Sequence, residues 1–159
     1  MEKQLSAKIA LDTFTRQLNS TNQLFENLTD EQLAQETAPG RNSGLYLLGH
    51  LTAVHDAMLP LLGLGEVKHP ELVEVFLKNP DKSGLPKPAA SQLRAQWKEI
   101  NNDLTSKLQA LNPDQWFEKH TAVSEEDFKK EPHRNRLNVV IGRATHLAYH
   151  SGQVAFLKK

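Results

Sequence analysis

An all-α fold is predicted, a four-helix bundle with short extra helices in the connections, and three observations carry it. Apolar residues recur at three- and four-residue spacing through four stretches of about twenty residues each. Capping residues, prolines and glycines separate those stretches. Very little of the chain alternates as a strand would. At 159 residues it is read as one domain, 1–159, long enough to bury a core without disulfides.

The first helix is expected from about Leu5 to Leu28, with Ile9, Phe14, Leu18 and Phe25 on its inner face. Thr29-Asp-Glu-Gln32 reads as a capping box that opens a short helix, closed by Pro39-Gly40. Ser43 caps the second long helix, which carries Leu45, Leu48, Leu51, Val54, Met58, Leu59 and Leu62 up to Gly63. Pro60 kinks or ends it near its last turn. Pro70 takes the first position of a short helix through Phe76, and the three prolines and glycine between Asn79 and Pro88 mark a loop. A third long helix follows from Ala89 to Leu111, with Leu93, Trp97, Ile100, Leu104 and Leu108, and Asn112-Pro113 stops it. Residues 118–134 are polar, with a helix start at Ser124-Glu-Glu-Asp127. The fourth long helix runs from Arg134 to the C-terminus. Its apolar residues (Leu137, Val139, Val140, Ile141, Leu147, Val154, Phe156, Leu157) spread around most of the circumference. Such a helix is expected to be buried on more than one side, in a homodimer or under the 63–89 connection. The long connections after the second and third helices argue against a minimal up-down-up-down bundle.

Lys+Arg and Asp+Glu balance at 19 each, so no net field favours nucleic acid or an anionic membrane, and neither is expected as a partner. No run approaches eighteen apolar residues and Met1-Glu-Lys-Gln-Leu-Ser lacks a signal-peptide pattern, so a cytoplasmic protein is expected. Without cysteine there is no disulfide, thiolate ligand or cysteine nucleophile.

Chemistry concentrates in the histidines. His146 and His150, four apart on the fourth helix, sit about 40° apart around its axis, so their rings can address one atom. They lie in a segment too apolar for a solvated face, with Gln153 one turn on as a polar group of the same pocket. Two readings fit: core histidines bonded to carbonyls, or ligands of a metal that a third histidine from the second helix would complete. His50 and His55 are about 140° apart, so both are not expected on one ion; by angle His55 lies nearer the centre of the apolar arc. Other metal chemistries fail on spacing. A helical metalloprotease needs glutamate where Leu147 stands. A di-iron bundle needs glutamate three residues before its histidines, where Leu47, Arg143 and Leu147 stand. There is no G-x-S-x-G elbow, and Gly63-Leu-Gly65 reads as a helix stop.

Gly49-His50-Leu51 with His55, joined to His146-Leu-Ala-Tyr-His150-Ser-Gly-Gln153, resembles the DinB/YfiT-like superfamily over most of the chain. The resemblance implies a divalent metal, zinc or nickel, held by His50, His146 and His150, with His55 outside the ligand set. It implies a small-molecule substrate and an activity such as thiol S-transfer with a low-molecular-weight thiol, maleylpyruvate isomerisation or amide hydrolysis, and it supports a homodimer. Three histidines without a fourth protein ligand suit an open site, where the ion acts as a Lewis acid on water or thiol. Arg143, one turn before His146, is read either as the partner of an anionic substrate group or as an exposed structural arginine, and Tyr149 and Gln153 are assigned to substrate binding. His55 is read first as a hydrogen-bonded core histidine, with outer support of the metal or general base as its catalytic alternative. His69, His120 and His133 are placed at the surface, and Trp97 and Trp116 in the core. The alternative function is a non-catalytic helical bundle that binds a small molecule or serves a structural role.

Overall fold

The computed structural model describes residues 1–158, and among them no strand forms. Seven helices do: α1 (Glu2–Glu26), α2 (Asp30–Leu33), α3 (Gly44–Leu61), α4 (Glu71–Phe76), α5 (Ala90–Ala110), α6 (Glu125–Lys130) and α7 (Arg136–Val154). Four of them are long, and the local signals in the sequence account for their ends. Thr29 and Gln32 close a reciprocal capping box at α2, with each side chain bonded to the other's backbone N–H. Ser43 Oγ accepts from Tyr46 N–H at the start of α3, and Ser124 Oγ accepts from Asp127 N–H at the start of α6. Pro60 stands one residue before the end of α3, and Pro70 immediately precedes α4. α7 starts two residues later than expected because Asn135, whose Oδ1 accepts from Asn138 N–H, is its cap.

Direction follows from which residues meet. α1 and α7 run parallel: Thr21 and Gln17 both reach Ser151, while Thr13 and Ile141, each earlier on its helix, line one groove between them. α3 and α5 also run parallel, with His55 opposite Asn101 and Gly65, just past α3, close to Lys107. α3 opposes α7: Arg136 Nε, at the start of α7, donates to Leu62 O at the end of α3, and His50 meets His146. The order is up-down-down-up. Two parallel neighbours cannot be joined by a tight turn, so residues 62–89 must cross the length of the bundle.

This crossover is bolted to α3. The Asp56 carboxylate, buried, accepts from the backbone N–H of Lys68 at 2.9 Å and of His69 at 2.7 Å. The Asp81 carboxylate accepts from Ser43 N–H and pairs with Lys87 at 2.8 Å. Phe76 of α4 lies so close to α3 that a Cβ on Gly49 would overlap its ring. As a result α3 is the helix buried all round, with polar Thr52, His55 and Asp56 inside as well as its leucines.

Two expectations change. Ile9 is exposed, as is Leu5, because α1 buries Ala7, Ala10, Phe14, Leu18, Thr21 and Phe25. Ile9 lies about 140° from Phe14 around the helix, whereas Ala10 lies about 40° from it. α7 buries a single stripe, Val140, Ala144, Leu147, Ser151 and Val154, and leaves Ile141 and Tyr149 exposed in the single chain, as is Phe156 just beyond its end. The crossover that was one candidate to cover α7 covers α3 instead. Trp97 and Trp116 are core residues, as expected. No described helix is long and apolar enough to cross a membrane.

Candidate metal centre

His50 in α3 faces His146 and His150 in α7, all three half-buried. Their Nε2 atoms converge: 3.1 Å from His146 to His150 and 3.3 Å from His146 to His50. Two nitrogens bound to one tetrahedral ion at the usual zinc distances lie about 3.3 Å apart, so the donor set and its spacing fit a divalent metal. The rings stand edge to face, at 62° to 85° to one another, which aims the nitrogens inward without stacking the rings.

Protonation suits the same role. His50 Nδ1–H donates to Phe76 O at 2.9 Å, and His150 Nδ1–H donates to Gln153 Oε1 at 2.7 Å. A carbonyl can only accept, so in each ring the proton of that bond sits on Nδ1, which leaves Nε2 turned to the centre as the ligating atom. Burial pushes His146 down to about 4, helped by the charges of His150, His50, Arg143 and His55. His150 is also lowered by burial, with Gln153 opposing and His50 adding to the shift. Neutral imidazoles are the form that ligates a metal.

Neighbours of His50 that the sequence did not single out complete its setting. Tyr46, one turn earlier, lies parallel to the His50 ring at 8° with centroids 6.2 Å apart. Its hydroxyl donates to Asn79 O at 2.7 Å, and burial together with Asp81 pushes its pKa up. Gly49 admits the Phe76 ring, and with it the carbonyl that orients His50. Tyr46 is findable as the aromatic four residues before a histidine; the Phe76 carbonyl belongs to the backbone and carries no side-chain signature.

The other assigned residues divide. Gln153 uses its Oε1 on His150, and its Nε2 donates toward the Tyr149 hydroxyl at 3.4 Å. Tyr149 is exposed and sets its ring edge-on to His150, 5.1 Å between centroids, at the rim of the site. Arg143 is half-buried, and burial lowers its pKa. His55 is fully buried outside the triad, between Phe14 and Trp97, with Nδ1–H donating to Asn101 Oδ1 at 2.6 Å. Burial pushes it down to about 4. His69, four-fifths buried at its side chain, is held between Glu71 and Glu99. A cavity of about 270 Å³ between α1 and α5, lined by Asn22, Trp97 and Asn101 among others, has none of the three histidines in its wall.

No curated protein matches the chain. The sequence profile of the DinB superfamily matches residues 13–154, a span that takes in all three converging histidines, the crossover and each long helix for most or all of its length. The chain belongs to the DinB superfamily.

Proposed function

We propose that the protein is a metal-dependent enzyme of small-molecule chemistry, a thiol S-transferase or hydrolase, with one zinc or nickel ion held by His50, His146 and His150. The observation that supports this reading is the convergence of three Nε2 atoms, with that of His146 lying 3.1 Å from His150 and 3.3 Å from His50, and with two rings locked in the ligating tautomer by carbonyl acceptors. Among the described residues the cluster offers three ligands and no fourth, which suits a site that accepts a substrate rather than a structural one. The bound ion would supply Lewis acidity, making a water or a low-molecular-weight thiol more acidic at neutral pH.

The chain's own residues do the rest. Phe76 O and Gln153 hold the His50 and His150 rings in place. Tyr149, exposed beside His150, presents a hydroxyl at the mouth, where it can donate to a substrate oxygen. Arg143, one turn below His146, brings the cation nearest the site on α7 and suits an anionic substrate group.

Elemental analysis of tag-free protein tests the reading. About one equivalent of metal is expected in the wild type and in His55→Ala, and none in His50→Ala or His150→Ala. No uptake of zinc or nickel by folded wild-type protein would leave the non-catalytic bundle as the better account. One equivalent justifies assay of thiol-transfer and amide-hydrolysis substrates.

A further inference from the structure

Two ligands of the triad have an outer partner and the third does not. His50 donates to Phe76 O and His150 to Gln153 Oε1, whereas His146 Nδ1 is buried with no hydrogen-bond partner among the described residues. A ligating imidazole almost always donates its second N–H to an acceptor. Five more buried side-chain atoms share that condition among the described residues, and two of them, His55 Nε2 and Arg143 Nε, belong to α3 and α7, the helices that carry the triad.

These atoms belong to one neighbourhood. α3 and α7 run antiparallel, with Leu62 opposite Arg136 and His50 opposite His146 and His150, which sets His55 level with Arg143, one turn from His146. Their charges act on one another: Arg143 lowers the proton affinity of both His55 and His146, and His55 lowers that of His146.

Their hydrogen-bonding roles are fixed and complementary. Asn101 Nδ2 donates to Trp97 O at 2.8 Å, so Asn101 Oδ1 is the atom that faces His55 and accepts from its Nδ1–H. A neutral His55 therefore presents a lone pair at Nε2. Arg143 Nε is a donor. His146 turns Nε2 to the other two histidines, so as a metal ligand it would carry its proton on Nδ1 and be a donor too. Two donors and one acceptor, all buried, match one water molecule, which accepts twice and donates once. Buried waters characteristically make about three such bonds to groups otherwise unsatisfied.

We propose that His55 is a positioning residue of the metal centre: an interior water accepts from His146 Nδ1–H and Arg143 Nε–H and donates to His55 Nε2, and Asn101 holds His55 in the tautomer that this requires. The inference rests on the metal reading of the triad. It gives His146 the outer support that Phe76 O and Gln153 give the other two ligands. It also gives a physical reason for a fully buried histidine beside a buried asparagine, where an apolar pair would pack without polar atoms to satisfy.

Zinc affinity by chelator competition tests it in wild type, His55→Phe and His55→Gln. Phenylalanine fills the space without an acceptor, whereas the glutamine amide oxygen restores one. His55→Phe should bind zinc about 10- to 100-fold more weakly, with His55→Gln closer to wild type. Affinity in folded His55→Phe within twofold of wild type, with wild type still binding one equivalent, would overturn the inference and leave the metal site standing. Failure of wild type to bind zinc would remove both. Should His55→Phe not fold, NMR of zinc-loaded wild type decides. A His146 Nδ1–H resonance with cross-relaxation to a water proton is expected, and that resonance without a water contact would overturn the proposal.

Discussion

A methyl group at position 49 would overlap the Phe76 ring, and Phe76 is the residue whose carbonyl receives His50 Nδ1–H. Gly→Ala inside a helix ordinarily stabilises by about 1 kcal/mol. Here the overlap reverses the sign: Gly49→Ala should destabilise by about 1–3 kcal/mol in urea melts, as overpacked cores do, and should weaken zinc binding by displacing the carbonyl. A more stable variant with unchanged zinc affinity would show that α4 is not what orients His50. Gln153 offers the matching test on the other helix. Gln153→Leu removes the acceptor for His150 and is expected to lower zinc affinity about 10- to 100-fold, while Gln153→Glu keeps an acceptor and retains tight binding, both read by chelator competition.

Among the elements, the 62–89 crossover decides the most, since it covers α3 and delivers Phe76 to the site. Asp56 anchors it through the backbone N–H groups of Lys68 and His69. Asp56→Ala strands those donors and should destabilise the fold by about 1–3 kcal/mol. Hydrogen exchange should rise first at residues 68–69 and in α4, with α1 and α7 amides protected as before. Uniform loss of protection across all helices would mean that the crossover unfolds only with the bundle. The capping box at α2 is a local matter by comparison; its loss touches one short helix.

For the molecule as a whole, neutral buried histidines set a pH limit. His55 and His146 fall to about 4 from an ordinary 6.5, chiefly through burial. The unfolded chain takes up protons at these positions below about pH 6.5, the native protein not until about pH 4. Their contribution to stability is therefore complete above 6.5 and declines as pH falls through that window. For His55, fully buried, it is about 3 kcal/mol. The metal-free protein in chelator should lose thermal stability between pH 7 and 5, before carboxylates titrate, and a folded His55→Phe variant should lose less. An apoprotein equally stable at both pH values would count against a buried neutral His55.

Helix ends were legible because their causes act within about four residues: Thr29, Ser43, Ser124 and Pro60 do locally what their types dictate. The converging trio was readable through the DinB resemblance, since the His146–His150 spacing is itself local, but angle alone left His50 and His55 open. The reason is now physical. Helical periodicity identifies a buried face only where another face meets water, and α3 is enclosed by the crossover, α5 and α7, so every side of it looks inward. Only tertiary structure could send His50 to α7 and His55 to Asn101, 46 residues away. The same holds for Ile9, for the stripe of α7 that the single chain buries, and for the Phe76 carbonyl. What the sequence determined by itself is where the helices lie and which residues carry the chemistry; which of those residues meet was decided by packing between segments dozens of positions apart, for which local propensity holds no record.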